Sequence, residues 1–359
     1  MILEYSDSQG KPRRKVAGAA AAVHAKPAAG AGEIGVALAG PGVLAKWAHI
    51  PALQKIPHTR LKAIYSSSGA RGKGFAPRYN CDYCTTEYDR ILEDPGIHLV
   101  IVTSRNQLHA SQAARAIRAG KHVLVEKPMA LDGAAAEEMI AEAKRQKRVL
   151  MVAQVLRFIP AYRSLAELVK SGRLGPVRSA FFRRRCAATT WAAWLSDRSQ
   201  SGGGVFDLLI HDVDFCVHLF GVPESISAVG YEDMPRGIDV ILAQLHYPGI
   251  GSVTITGGWH HIGDYPFSME FTVMGENGVV EYSSAGRPAT LYEAGKKVEP
   301  LPEGEADWFQ AELAYFVDCC RTGRRPELCP PEESATAVKL ARIMVESRER
   351  KGGVIPCRL

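Results

Sequence analysis

The stretch IGVALAGPGVLA, residues 34–45, is an apolar strand that runs into Gly40, Pro41, Gly42, Val43, Leu44 and Ala45, the spacing GxGxxA. In that pattern the first glycine makes a tight turn and the second lets a pyrophosphate approach the backbone. The alanine allows the next helix to pack close to the strand, and the first turn of that helix offers unpaired N–H groups to the phosphates. Gly40, Gly42, Val43 and Leu44 are therefore the phosphate-binding candidates, although the same letters also suit a glycine-rich turn in another α/β protein. The surroundings give the motif its meaning. LKAIY (61–65), HLVIV (98–102) and HVLVE (122–126) are short apolar runs separated by helical stretches, which predicts parallel strands buried on both faces. A helix over 133–147 and an apolar run at 149–152 extend the series to residue 155.

Beyond a helix at 161–170 the pattern changes. VRSAFFRR (177–184), SISAVGY (225–231), DVILAQLHY (239–247), GSVTITGGW (251–259) and SMEFTVMG (268–275) alternate with a period of two and carry glycine turns at 249–251 and 275–278. They predict an antiparallel sheet, closed by helices at 307–321 and 331–349. The expected fold is an α/β N-terminal Rossmann domain followed by an α+β C-terminal domain with a large, mainly antiparallel open sheet. Residues 1–32 read as a flexible arm, 33–155 as the dinucleotide-binding domain, and 156–359 as the domain for substrate binding and oligomerisation. No internal repeat is visible.

A chain of 359 residues, 46% hydrophobic and 23% charged, can bury a sizeable core, and its length favours two domains. It contains no apolar run of the roughly 18 residues a membrane span needs and no block of like charge, so neither membrane nor nucleic acid is expected as a partner. The net charge of +6 suits a small anionic ligand. Eight cysteines in this length do not form a disulfide scaffold, and Cys81 and Cys84 make a CxxC without a second one, so ordinary thiols and no metal are expected. The cytoplasm is the expected compartment. The alternative is export, because Arg13 and Arg14 ahead of AGAAAAV loosely resemble a twin-arginine signal, although no hydroxyl residue precedes the pair and the apolar stretch is short.

Two further segments carry candidate chemistry. After the second strand, IYSSSGARGKG (64–74) has Ser66, Ser67 and Ser68 where an acidic residue normally meets a ribose 2′-hydroxyl, with Arg71 and Lys73 following. Hydroxyls and cations suit a 2′-phosphate, so NADP is favoured over NAD; the alternative is a polar loop facing solvent. In KHVLVEKPMA (121–130), Lys127 stands at the strand end where dinucleotides bind, and Pro128 stops the strand and keeps Lys127 extended. A lysine there can hydrogen-bond a substrate hydroxyl, or it can be a solvated loop residue. In SGGGVFDLLIHDVDF (201–215), Asp207 and His211 are four apart and share a helix face, a carboxylate and an imidazole suited to acid–base work or to a structural pair.

Taken together, GPGVLA (40–45), NQLH (106–109) ahead of AGKHVLVEKP (119–128), LRFIPAY (156–162) and SGGGVFDLLIHDVD (201–214) resemble the glucose–fructose oxidoreductase, inositol dehydrogenase and rhizopine-catabolism family, Gfo/Idh/MocA. The resemblance spans residues 33 to about 352, with the motifs in the family's order. It makes Lys127 the lysine of the EKP motif and Asp207 and His211 the DxxxH pair. It implies hydride transfer between a nicotinamide and a hydroxyl or ketone of a sugar, inositol or related polyol. His211 would accept the proton, Lys127 would bind the reacting oxygen, and Asp207 would fix substrate and imidazole; members differ over which group moves the proton. The serine-rich loop is similar to that of the NADP-dependent 1,5-anhydrofructose reductase branch, which implies 2′-phosphate contacts from Ser66, Ser67 and Arg71. Further implied cofactor contacts are Ser104, Asn106, His109, Glu126 and Lys127.

The sequence departs from the family at Ser104-Arg105-Asn106, where Thr-Pro-Asn is usual, and at Leu209, where many relatives have glycine. The resemblance also implies a homodimer or homotetramer through the C-terminal sheet, with the N-terminal arm as a strap. Trp191, Trp194, Tyr162, His260 and His261 offer aromatic faces to a sugar, and Arg157 offers a cation to a carboxylate or phosphate; each also reads as packing. Two other activities fit the same motifs. One is a glycosidase or lyase that holds its nicotinamide and oxidises transiently, and the other is a non-catalytic dinucleotide-binding sensor.

Overall fold

A computed structural model describes residues 32–68, 78–188, 192–302 and 307–359. Most of the N-terminal arm, Arg71, Lys73 and Trp191 lie outside these described residues. The first sheet consists of β1 (Ile34–Ala39), β2 (Thr59–Tyr65), β3 (Tyr83–Thr85), β4 (Leu99–Val102), β5 (His122–Val125) and β6 (Leu150–Val152), in the order β3-β2-β1-β4-β5-β6. Every pairing in it is parallel. Its strands are apolar on both faces because helices cover both. Val36, Leu38, Ile101 and Leu124 pack with the helix Ile50–Gln54 and with Leu313 and Phe316 of the helix Trp308–Thr322. Ala37, Val100, Val123 and Val125 pack on the other side with helices His109–Arg118 and Gly133–Gln146. Each buried aliphatic side chain contributes about 1.5–3 kcal/mol, and this two-sided burial offsets the entropy of ordering such short strands.

The expected domain break falls in the turn Val155–Phe158, which leads into the helix Pro160–Lys170. The second sheet contains β7 (Val177–Ala187), β8 (Ser225–Asp233), β9 (Ile238–Tyr247), β10 (Ile250–His261), β11 (Ser268–Gly275), β12 (Gly278–Ser283), β13 (Arg287–Glu293), β14 (Glu299–Pro300) and β15 (Ile355–Pro356). Its order is β14-β13-β12-β11-β7-β10-β9-β8-β15, antiparallel except where β7 and β10 run parallel at its centre. The period-two pattern predicts the strands but not that central pairing, which joins segments far apart in the chain. Alternation is clear in β7, where Ala180, Phe182 and Arg184 point inward while Phe181 lies exposed on the outer face.

Helices cover only the inner face, chiefly Ile210–Phe220 and Pro331–Glu349. The latter packs on both β8 and the helix Gly133–Gln146, so it belongs to both layers. Among the described residues, no helix is long and apolar enough to cross a membrane.

Candidate active site

The site lies where the C-terminal edge of the first sheet meets the glycine run of the second domain. Gly40 has a φ of +99°, and a Cβ there would lie 2.6 Å from the Ser104 backbone, so only glycine permits the ends of β1 and β4 to come this close. The Thr103 hydroxyl donates to the Gly40 carbonyl at 2.6 Å and fixes the turn. Gly42 is different: a Cβ there would meet nothing in the protein closer than 4.0 Å, so the space above it is left for a ligand. Val43 is exposed and Leu44 half-buried at the head of the following helical turn, and Ala45 is fully buried against the strand as the motif requires. Ser66 is buried, with its Oγ accepting from the Ser68 N–H and donating to the Ser68 carbonyl, while Ser67 is exposed.

Between the domains, the Asn106 amide donates to the Ser201 carbonyl at 2.9 Å, and Arg105 donates to Gln200 at 2.8 Å. His109 lies between the carbonyls of Pro128 at 2.8 Å and Ser104 at 3.1 Å, with its pKa lowered by burial. Asn106 and His109 thus use polar atoms to hold the two loops together, whereas the buried Ser104 Oγ has no partner among the described residues. Glu126 is buried: one carboxylate oxygen meets His49 Nε2 at 2.7 Å and the other accepts the Lys127 N–H at 3.0 Å. Burial opposes its ionisation, but the hydrogen bond and charge of His49, with Lys127 nearby, outweigh it and hold the carboxyl below its ordinary range.

The Lys127–Pro128 peptide is cis. The Lys127 ammonium donates to the backbone carbonyl of Asp207 and stands 3.5 Å from that residue's carboxylate. The side chains are 16% and 24% exposed, open enough for a ligand to reach them. Asp207 sits in a π-helical turn, Val205–Leu209, and His211 opens the α-helix that follows. The His211 Nδ1 is buried with no partner among the described residues, and burial, followed by the charges of Lys127 and Arg184, keeps the imidazole well below its usual pKa. The ring is therefore neutral near pH 7 and able to take a proton. The fold thus brings Lys127, 80 residues earlier in the chain, against the Asp207 turn, where its charge also acts on His211.

Sequence reasoning missed three residues that shape this group. His49 pairs with Glu126, and its remaining ring nitrogen is an unpartnered buried atom. Glu312 is fully buried with both oxygens unpartnered; burial and the charge of Glu126 push its pKa well up. A glutamate on the apolar face of WFQAELAYF (308–316) is the only sequence signal for it. Asp239 on β9 accepts the Gly204 N–H at 2.7 Å and also binds Arg348. A Cβ on Gly203 would lie 2.4 Å from that same carboxylate, which accounts for the glycine run beside Asp207.

The structure corrects the expected substrate-facing roles of Arg157 and Tyr162 and locates Trp194 and His261. Arg157 is fully buried, bidentate to Asp214 at 2.9 and 2.8 Å, and bound to Glu333 at 2.6 Å and the Leu328 carbonyl at 3.0 Å, so it has no face toward a substrate. Tyr162 is likewise buried, edge-on to Phe215 and Phe271. Trp194 is half-buried against a small core of Leu195, Leu208, Met234 and Trp259, beside the Asp207 turn. His261 stacks between His260 and Tyr265 at the end of β10.

The open space at Gly42 and the Ser104 Oγ, which has no partner among the described residues, fit a nicotinamide dinucleotide at the C-terminal edge of the first sheet. Fold and site together define a two-domain Rossmann dinucleotide-binding protein in which Lys127 of the first domain meets Asp207 of the second. The comparisons with known proteins narrow the class. A family model described as an oxidoreductase family with an NAD-binding Rossmann fold matches residues 34–154, and the GFO/IDH/MocA C-terminal domain matches residues 162–281. This chain belongs to the Gfo/Idh/MocA family of oxidoreductases. It is 31% identical to the trans-1,2-dihydrobenzene-1,2-diol dehydrogenase of Oryctolagus cuniculus, over 86% of this chain and 95% of the relative. It is 34% identical to the 1,5-anhydro-D-fructose reductase of Ensifer adhaerens, over 42% of this chain and 46% of that one. Among solved structures, the aldose–aldose oxidoreductase of Caulobacter crescentus with glycerol superposes with a TM-score of 0.80 at 27% identity, over 90% of this chain and 99% of that one. Levoglucosan dehydrogenase with NADH and levoglucosan shares the fold at a TM-score of 0.82 and 20% identity, over 91% of this chain and 100% of that one.

Proposed function

We propose that the protein transfers hydride between a nicotinamide dinucleotide and a hydroxyl-bearing or ketone carbon of a sugar, inositol or related polyol. The observation that carries this reading is the partly open Lys127–Asp207 contact beside a neutral His211. The nicotinamide, when bound, supplies the hydride acceptor or donor. Lys127 Nζ donates a hydrogen bond to the reacting oxygen, and a His211 ring nitrogen takes the hydroxyl proton during oxidation and returns it during reduction. Asp207 holds the ammonium and binds a neighbouring substrate hydroxyl. Trp194, beside the Asp207 turn, offers an aromatic face to the ring of the substrate.

Gly40, Gly42, Val43 and Leu44 hold the pyrophosphate, Ser104 and Glu126 face the nicotinamide half, and Asn106 and His109 shape that pocket from behind. Ser66, Ser67 and Arg71 select NADP. Support for a sugar-like substrate comes from relatives named for diols, anhydrosugars and aldoses. The protein works as a homodimer or homotetramer through the outer face of the second sheet, which exposes Phe181, Val229, Tyr231 and Leu242. Cys186, Cys216, Cys319, Cys320, Cys329 and Cys357 are free thiols, which favours a reducing cytoplasm.

The direct test is a panel of sugars, inositols, keto-sugars and diols, each screened with NADP(H) and NAD(H) by nicotinamide absorbance. Sustained turnover on at least one member is expected, and none with any of them would sink the reading. The double substitution Ser66→Asp, Arg71→Ala should move the cofactor preference toward NAD(H) by at least about tenfold, about 1.4 kcal/mol. A titration of both cofactors by tryptophan fluorescence reads this shift.

A further inference from the structure

Parallel strands place the start of each at the edge opposite the site. His122 and Leu150, the first residues of β5 and β6, therefore lie on the far edge from Gly40 and Lys127, with five residues of extended chain, about 16 Å, between His122 and Lys127. A groove of about 350 Å³ opens there, between the end of the helix Gly133–Gln146 and the loop that leads into the helix Pro331–Glu349. Five cations line it, Lys144, Lys147, Arg148, Arg324 and Arg325, against one carboxylate, Glu332. Glu332 is shared by Lys144 at 3.0 Å and Arg325 at 2.8 Å, and Arg324 reaches away to Asp318 at 2.6 Å. Lys147 and Arg148 make no ion pair among the described residues.

The backbone adds to this asymmetry. Lys147 ends its helix with a φ of +53°, in the left-handed region where glycine is the usual occupant, so a charged side chain stands where the conformation disfavours one. His122 accepts the Val149 N–H through Nδ1 at 2.9 Å, which puts the proton of the neutral ring on Nε2 and makes that nitrogen a donor. Burial, followed by the charge of Arg148, pushes its pKa down to about 4. Ile140, Leu150 and Pro326 supply an apolar wall. At about 350 Å³ the concavity has the size of a small-molecule site rather than of a groove that tracks a nucleic-acid backbone. Its size, wall and unmatched charge suit one small molecule with a hydrophobic body and a doubly negative head.

We propose that this groove binds a small organic phosphate, with Lys147, Arg148 and the His122 N–H on the phosphate and the apolar wall on the organic part. The site is separate from the dinucleotide crevice. It joins the first layer to the start of a helix whose Glu333 holds Arg157, so an occupant ties together two elements from opposite ends of the chain.

Isothermal titration calorimetry at constant ionic strength tests this on the full chain, with NAD⁺, which carries no phosphate monoester, in excess to fill the dinucleotide crevice. Phenyl phosphate is expected to bind saturably at one site per chain and more tightly than inorganic phosphate. The pair Lys147→Glu, Arg148→Glu should weaken it at least tenfold while leaving dinucleotide affinity unchanged. If that pair fails to fold, Lys147→Gln, Arg148→Gln should weaken it at least threefold. Heats no larger than those of sodium chloride at matched ionic strength, or equal affinity in wild type and variants, would overturn the site. Inorganic phosphate binding as tightly as phenyl phosphate would overturn the organic ligand.

Discussion

Asp207 and Asp214 lie seven residues apart in one helical run, and each meets a cation from an earlier segment, yet the two pairs are opposites. Asp214 and Arg157 are 1% and 0% exposed and joined by two parallel hydrogen bonds, with Glu333 completing the guanidinium's partners. Asp207 and Lys127 are partly open, 3.5 Å apart, and the ammonium already leans on a backbone carbonyl. A third acid in the run, Asp212, resembles the closed type, bidentate to buried Arg184 at 2.9 Å. The lesson is that residue type and spacing do not separate a pair that holds the fold from one that can exchange its partner for a substrate; access to solvent does.

The largest expected effect breaks the closed pair. Arg157→Ala leaves Asp214 buried without its partner and should cost about 3–5 kcal/mol of stability, read from urea unfolding. Unfolding within about 1 kcal/mol of wild type would remove the distinction drawn between the two pairs. Lys127→Ala should do the reverse, lowering turnover about 100-fold or more, worth about 2.7 kcal/mol in the chemical step, while stability changes by less than about 1 kcal/mol. Combining it with His211→Ala should cost less than the product of the two single losses, because both groups serve one proton.

The smallest effect concerns pH. His109, His122 and His211 all have pKa values lowered by burial, so the unfolded chain binds more protons than the folded one below the ordinary histidine value of about 6.5. Their stabilising contribution is complete above that value and declines as pH falls, for His122 down to about 4. The urea midpoint should therefore drop between pH 7.5 and pH 5. His122→Asn, which retains an acceptor for the Val149 N–H, should reduce the slope, and an unchanged slope would exclude His122 as a contributor.

Much of this was legible in the chain. The glycine turn, the parallel strands and the Lys127, Asp207 and His211 candidates each depend on local pattern, and the fold kept those patterns. Arg157 stayed open between substrate contact and packing because LRFIPAY says nothing about Asp214 or Glu333, which arrive 57 and 176 residues later. Asp239, His49 and Glu312 stayed invisible for the same reason, since each matters through a neighbour from another element. The parallel β7–β10 pairing was hidden because strand pattern fixes which face is buried, not which strand lies alongside.

The Arg157 network also sets a clock for the nascent chain. Glu333 follows Arg157 by 176 residues, so at about 5–20 residues per second the ribosome delivers it roughly 9–35 s after the arginine. For most of that interval the first sheet also lacks the helix Trp308–Thr322, so on that side Val36, Leu38 and Ile101 have only the short helix Ile50–Gln54 over them. The Rossmann half is made first and finished last, and the emerging polypeptide needs shielding from its neighbours until the closing helices dock.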